Sequence, residues 1–183
     1  MVFSDFGIVY PKKEVTVKFV QQMTFDFPPE ITQKYMTDDE ALKYMVDNNP
    51  ELSKIEVLAD REDGTRRTVE MKYTTDVSLP GPIKKVMGSA ASQALVMKLT
   101  MDSETLTGTM EMIPGQMADK IKISGRVSVE KLGDRWVQRV DGDAAVKIFG
   151  VGKVVEKFLV EKIQSSTAIE TKLRNEYMHK VEK

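Results

Sequence analysis

The sequence contains no cysteine and only one histidine, which excludes several kinds of functional site. Without cysteine there is no disulfide framework, no thiol nucleophile and no thiolate metal ligand. The one histidine, His179, lies close to the C-terminus, where a terminal helix is expected to fray. A catalytic imidazole must be held in place by packing, so we interpret His179 as a solvated surface residue and expect no catalytic triad.

Neither a dominant charge nor a long apolar run is present. The 27 basic residues nearly balance the 28 acidic ones, so no global field recruits nucleic acid or an anionic membrane. No apolar run approaches the roughly eighteen to twenty residues of a membrane span, and we expect no integral membrane segment, although transient membrane contact stays open. Residues Met1–Gly7 lack the basic and apolar regions of a secretory signal, and we expect a cytoplasmic protein.

Motifs for metal or phosphate binding are missing as well. The carboxylates of Asp60–Asp63 and of Asp141–Asp143 lie close in sequence, but neither group has the ligand spacing of a calcium loop. The stretch Gly150–Gly152 precedes a helix without the spacing of a phosphate-binding loop or a dinucleotide fingerprint. We therefore expect no catalytic residue, no metal and no cofactor.

The C-terminal stretch from Gly150 to Lys183 predicts one long amphipathic helix. It lacks proline, and its last glycine is Gly152, so nothing in it breaks a helix. On a helical wheel drawn at 100° per residue, Glu156 falls mostly on the side opposite the apolar residues. About thirty residues span about 45 Å, which exceeds the needs of a domain this size unless a sheet wraps around the helix. The apolar stripe consists of Val151, Val155, Phe158, Leu159, Ile169, Leu173 and Tyr177.

The N-terminal half begins with a strand that is followed by two short helices. Alternation from Val15 to Phe27 has a period of two, and Pro28–Pro29 ends it. Pro29 can occupy the first turn of a short helix. Thr37–Glu40 matches the capping-box pattern at the start of a second helix, which Asn48–Pro50 ends.

From Leu52 onward, strand alternation continues for almost a hundred residues and predicts about six antiparallel strands. Turn signals occur at Glu62–Gly64, Asp102–Glu104 and Leu132–Asp134. Three glycines lie on the apolar faces of the last three strands, where we expect them to bend the sheet and leave a trough for the long helix. They are Gly108, Gly125 and Gly142.

This order of elements resembles the helix-grip fold of the START and birch-pollen-allergen superfamily over nearly the whole chain. More narrowly, Leu79–Gly88 and Val146–Lys157 are similar to an uncharacterised bacterial branch of that superfamily. The resemblance implies an α+β fold, in which a curved antiparallel sheet of about seven strands wraps around a long C-terminal helix, with two short helices after the first strand. We expect a single START-like domain over residues 14–183, preceded by an N-terminal lead of residues 1–13.

The resemblance also implies an internal cavity, between the sheet and the C-terminal helix, for a hydrophobic small molecule or lipid. Binding, carriage or sensing of such a ligand is therefore the expected function. The alternatives are an enzyme of the polyketide-cyclase type and a protein-interaction module on the same fold, because a fold does not by itself settle a function.

Several residues are candidates for contact with the ligand. Twelve methionines suit an adaptable cavity, although methionine also fills gaps in cores. Lys162 lies within the apolar stripe and can either extend its charge to water or hold the polar head of a ligand, for which Gln21 and Gln138 are weaker candidates. The segment Leu79–Gly88 is expected to cover the cavity, with Ile83, Val86 and Met87 facing inward. The candidate ligand-binding residues are Met71, Tyr73, Met97, Leu99, Met110, Met112, Ile123, Trp136, Gln138, Val140, Phe158, Lys162 and Ser166.

Overall fold

The computed structural model describes residues 15–76, 81, 93–115, 120–147 and 152–182. Within these ranges the chain forms seven strands and three helices of six residues or more. The elements in chain order are β1 (Val15–Phe25), α1 (Pro29–Lys34), α2 (Asp39–Asn48), β2 (Leu52–Asp63), β3 (Arg66–Thr75), β4 (Gln93–Asp102), β5 (Thr107–Pro114), β6 (Ile121–Leu132), β7 (Arg135–Val146) and α3 (Gly152–Val181).

The seven strands form one sheet in the order β1-β7-β6-β5-β4-β3-β2, and every neighbouring pair is antiparallel. Strands β2 to β7 therefore form successive hairpins, while β1 pairs with β7 at the far edge. Helix α3 packs against β1 and β7 on the inner face of the curved sheet and also against α2. The predicted α+β architecture of a sheet wrapped around a long C-terminal helix is confirmed.

The two short helices begin where local chemistry supports them. Pro29 opens α1, since a residue of the first turn needs no intrahelical N–H donor. The cap of α2 is Asp38 rather than Thr37, because the Asp38 carboxylate accepts a hydrogen bond from the Ala41 amide at 2.9 Å. Thr37 instead donates to Asp60 at 2.9 Å, which ties the α1–α2 connection to β2.

Helix α3 is buried near both of its ends. Val155 is 1 % exposed and packs with β-sheet residues, and Met178 is 2 % exposed against Met23 and Phe25 of β1. Glu156 is also buried, contrary to its expected place on the far side of the helix. Its Oε1 has no hydrogen-bond partner among the described residues, and nothing in the structure explains this burial.

The C-terminal end of α3 is tied to the end of β1. The Asn175 amide donates to the Thr24 carbonyl at 2.8 Å and accepts from the Asp26 amide at 3.1 Å. His179 lies 2.9 Å from the Asp26 carboxylate and packs edge-on against Phe27. His179 is thus exposed, as expected, but it belongs to an ordered helix end.

Atoms of the neighbouring strands occupy the space that a side chain would need at each of the three strand glycines. Gly142 pairs with Phe19, and a Cβ at Gly142 would stand only 2.6 Å from the Phe19 Cε1. A Cβ at Gly125 would meet Val140 Cγ1 at 2.7 Å, and one at Gly108 would meet Met101 Sδ at 2.7 Å. The expected trough for the helix is therefore wrong at these positions: cross-strand side chains occupy the space at Gly125 and Gly142, and the Thr100 carbonyl and the Met101 side chain occupy it at Gly108.

We predict that Gly142→Ala destabilises the protein by about 1–3 kcal/mol, because the new methyl group overlaps the Phe19 ring. Denaturant unfolding measures the change. In the Phe19→Leu background the same substitution should cost clearly less, since the smaller side chain can move aside. Equal costs in both backgrounds would show that Phe19 does not occupy the space above Gly142.

We also predict that Asp38→Ala lowers the free energy of unfolding by about 1 kcal/mol through loss of the α2 cap. Asp38→Asn is the matched control, because its side-chain oxygen can still accept from the Ala41 amide. Thermal melts of the three proteins should rank the alanine variant lowest. Indistinguishable melting of the two variants would contradict the role assigned to the side-chain oxygen.

Candidate functional site

A cavity of about 250 Å³ lies between the inner face of the sheet and helix α3. Helix α3 covers it, strands β3 to β6 and one residue of β1 line the opposite side, and the end of α2 with the start of β2 closes one flank. Most of the lining is apolar. The lining residues are Gln21, Met45, Asn49, Glu51, Leu52, Tyr73, Thr75, Ala94, Leu95, Met97, Met112, Pro114, Gly115, Ile121, Ile123, Val155, Phe158, Leu159, Lys162, Ile163, Ser166, Thr167 and Glu170.

A smaller cavity of about 70 Å³ adjoins this one and extends toward α1. Four side chains line both cavities and so stand at the junction between them: Gln21, Met97, Met112 and Glu170. Two methionines at a junction form an adaptable boundary, because methionine has three flexible torsions and no branched atoms. The two cavities can therefore be treated as one site. Its outer part is the larger cavity and its inner part is the smaller cavity.

Most of the residues that we expected at a ligand site line one of these cavities. The larger cavity brings together Tyr73, Met97, Met112, Ile123, Phe158, Lys162 and Ser166. The smaller cavity is lined by Leu99, Met110, Gln138 and Val140, together with the two shared methionines. Their role in binding remains a proposal.

Met71 and Trp136 do not line either cavity. Met71 has no exposed surface and packs with Leu42 of α2 in the core. Trp136 packs with the cluster that contains Met178, at the C-terminal end of α3. Strand alternation identifies the inner face of a sheet, but it does not say where along each strand a cavity lies.

The predicted cover cannot be placed on the structure. Ile83, Val86 and Met87 lie outside the described residues. Thr75 and Ala94, which line the larger cavity, are close in sequence to the two ends of that segment. The cover therefore stays a prediction.

The outer part of the cavity carries an ion pair. Lys162 Nζ lies 2.7 Å from Glu51 Oε1, and the two side chains are 29 % and 38 % exposed. The Lys162 side chain thus extends toward solvent, where the Glu51 carboxylate compensates its charge. The sequence did not indicate that Glu51 pairs with Lys162, because the two residues are 111 positions apart and no local pattern links them.

The inner part carries a second pair. Arg174 donates to the Glu170 carboxylate from Nε and from Nη2, both at 2.8 Å, and the arginine side chain is only 12 % exposed. Burial raises the pKa of Tyr73. Burial by itself lowers the pKa of Arg174, but attraction and hydrogen bonding to Glu170 and Tyr73 together outweigh it, so the pKa of Arg174 is raised. Arg174 therefore stays charged and Tyr73 stays neutral near pH 7. The spacing of four residues on α3 could have indicated the Glu170–Arg174 pair.

Gln21 is the polar residue of β1 that points toward this inner part. It is 8 % exposed, and its Oε1 has no hydrogen-bond partner among the residues that the structure describes. A buried carboxamide oxygen without a donor is unusual in a folded protein. Gln21 and Glu170 together make the junction polar although its surroundings are apolar.

The described ranges lack both a membrane-spanning helix and a cluster of metal-ligating side chains. No described helix is both long enough and apolar enough to cross a membrane. Within the same ranges, no three His, Asp or Glu side chains are grouped so that they could hold a metal ion.

Comparison with solved structures shows the fold. The chain is similar to Ara h 8.0201 (15 % identity, TM-score 0.57), with 91 % of this chain and 99 % of that chain covered. It is similar to the ZhuI aromatase/cyclase from Streptomyces sp. R1128 (14 %, TM-score 0.56; 90 % and 95 % covered). It is also similar to norcoclaurine synthase from Thalictrum flavum (16 %, TM-score 0.55; 97 % and 96 % covered). These are helix-grip proteins of the START and birch-pollen-allergen type, so the predicted resemblance is confirmed at the level of the fold.

Comparison of the sequence narrows the relationship further. No curated protein matches the sequence. One family model matches residues 21–178, a range that runs from the buried glutamine of β1 to the last turns of α3. The chain therefore belongs to the family described as "Protein of unknown function (DUF2505)".

Proposed function

We propose that this protein binds a hydrophobic, lipid-like small molecule in the cavity between the sheet and α3, and that it carries or senses this molecule. The observation that supports the proposal is the cavity itself, which is bounded mainly by aliphatic, methionine and aromatic side chains. A cytoplasmic location, transient contact with membranes and a single domain over residues 14–183 belong to the same proposal.

The volume limits the size of the ligand. An apolar cavity of about 150 Å³ stays dry and accepts benzene, whereas most ligand pockets measure about 300–1,000 Å³. The larger cavity, at about 250 Å³, falls between these values. It suits a body of about two fused rings or a short acyl chain, and joining the smaller cavity brings the site to the lower end of the usual range.

The ion pair at the outer part limits the charge of the ligand. Because Glu51 already compensates Lys162, an anionic head group would have to displace a carboxylate from the lysine. The apolar walls offer no other compensation for a charge. The proposed ligand is therefore neutral where it contacts the cavity.

A second candidate function is an enzyme of the polyketide-cyclase type that acts on the bound molecule. The observation that favours it is the ionisable group at the inner part, where Glu170 faces the cavity and is held by buried Arg174. Perturbed ionisable groups in clefts are common at active sites, although structural ion pairs produce the same signal. Because Glu170 is already paired with Arg174, the signal fits a structural ion pair equally well, and carriage remains the main proposal.

Native mass spectrometry of gently purified protein tests these functions against each other. Carriage predicts a small hydrophobic molecule that is released unchanged after incubation. An enzyme predicts that the released molecule differs chemically from the one supplied. A protein that stays free of ligand and binds no apolar probe would refute both, and would favour a protein-interaction module.

We predict that the neutral apolar dye N-phenyl-1-naphthylamine binds in the larger cavity with a rise in fluorescence. Leu159→Trp should weaken binding at least about tenfold, because the indole fills space that the dye needs. Val154→Trp is the matched control on the same helix, since Val154 is 46 % exposed and does not line the cavity. Equal loss of binding in both variants would place the dye elsewhere.

We predict that Glu51→Gln raises the affinity for 1-anilinonaphthalene-8-sulfonate, an anionic dye, relative to the neutral dye. Removing the carboxylate frees the Lys162 ammonium, and a partly exposed pair of this kind corresponds to about two- to fivefold in affinity. Lys162→Met should change the same ratio in the opposite direction. An unchanged ratio in both variants would show that the ion pair does not face the bound dye.

A further inference from the structure

The inner part of the cavity contains a polar group that the proposed binding of an apolar body does not use. Gln21 projects from β1 into a face that otherwise carries Phe19, Met23 and Phe25. It is more than nine-tenths buried, lines both cavities, and its Oε1 meets no donor within the described ranges. Leucine or methionine would fill the same position without an unpaired amide.

The surroundings of Gln21 favour a neutral partner. The only charged side chains of the smaller cavity are Glu170 and Arg174, counted over the residues that the structure describes, and they compensate each other at 2.8 Å. A carboxylate head would approach Glu170 without a free cation, and an ammonium head would approach Arg174. Either charge would lose its hydration without gaining a partner.

A hydroxyl group fits where a charged group does not. The carboxamide of Gln21 offers an acceptor and two donors, and a hydroxyl both donates and accepts, so it can pair with either end of the amide. Gln138, which also lines the smaller cavity, adds a second carboxamide near the same place: it pairs with Met23, two residues along β1 from Gln21.

The distance between the two polar parts sets the length of the ligand. Lys162 lies at the outer part and Glu170 at the junction. Glu170 follows Lys162 on α3 by eight positions, which correspond to a rise of about 12 Å. Between them α3 presents Ile163, Ser166 and Thr167 to the cavity, and the sheet lines it with the apolar side chains of Met97, Met112 and Ile123. A body of about 12 Å with one polar end matches this arrangement.

We propose that the ligand of this cavity is a neutral apolar alcohol or phenol, whose single hydroxyl group hydrogen-bonds to Gln21 at the junction of the two cavities. This inference rests on the proposed function and adds the class and the orientation of the ligand. The apolar body lies between α3 and strands β4 to β6, and the end opposite the hydroxyl points toward the Lys162–Glu51 pair.

Competition against N-phenyl-1-naphthylamine tests the proposal with three probes that share one ring system: naphthalene, 2-naphthol and 2-naphthoate. At pH 7, 2-naphthol should bind about five- to tenfold more tightly than naphthalene, the gain expected for one hydrogen bond between neutral groups in a buried site. 2-Naphthoate should bind most weakly of the three. Gln21→Leu should abolish the preference for 2-naphthol and leave the affinity for naphthalene unchanged or higher.

The controls separate the site from general effects on folding. Gln22→Leu makes the same change one residue along β1, at an exposed position, and should keep the preference for 2-naphthol. Gln21→Met is a second apolar variant for use if the leucine variant melts at a markedly lower temperature than the wild type. Loss of the preference in both Gln21 variants, with naphthalene still bound, would support the proposal.

Other outcomes would overturn it. Equal binding of 2-naphthol and naphthalene by the wild type would show that water, rather than ligand, pairs with Gln21, and would leave the proposed function intact. A preference that survives in both Gln21 variants, or tightest binding of 2-naphthoate, would place the polar end of the ligand elsewhere. Failure of all three probes and of the dye to bind would overturn the proposed function itself.

Discussion

Helix α3 is clamped to the sheet at both ends, and the rest of the structure follows from this constraint. Near its start, Val155 is buried in a cluster that includes Phe19 and Val146. Near its end, Met178 is buried with Met23 and Phe25, and Asn175 exchanges two hydrogen bonds with the backbone around Thr24. A straight helix fixed at two places across a curved sheet cannot follow the curve between them. The cavity is the space that remains beneath the first and middle turns of the helix, where residues from Val155 to Glu170 line it.

The side chains beneath the middle of α3 keep that space apolar without filling it. Close packing of interiors normally leaves few voids larger than a water molecule, so a cavity of about 250 Å³ is a feature that the packing of this core maintains. Helix α2 contributes by packing Leu42 against Val69 and Met71 of β3, which fixes one flank of the cavity against the sheet. The Arg67 side chain, paired with Asp60 at 2.6 Å and bonded to Thr37 at 2.9 Å, fixes the start of α2 over the sheet.

Among the residues that the structure describes, the charged side chains of both parts of the site are paired with each other. Glu51 compensates Lys162 at the outer part, and Glu170 compensates Arg174 at the inner part. Buried ion pairs contribute little net stability, because desolvation offsets their attraction. The two ion pairs therefore affect ligand binding more than they affect stability. A neutral molecule can bind beside them without displacing either partner of a pair. Within the described lining of the two cavities, Gln21 Oε1 remains as a buried polar atom without a hydrogen-bond partner.

Periodicity and turn chemistry in the sequence by themselves determined the strands, the three helices and their order, because these depend on neighbours close in the chain. Alternation identified the inner face that carries Met97, Met112 and Ile123, and the period of α3 identified Phe158 and Lys162. Only the tertiary structure decided that Met71 and Trp136 lie away from the cavity, that Phe19 fills the space above Gly142, and that Glu51 pairs with Lys162. The physical reason is that a cavity and its ion pairs depend on where separate elements cross, and no local pattern in a chain records the place of crossing.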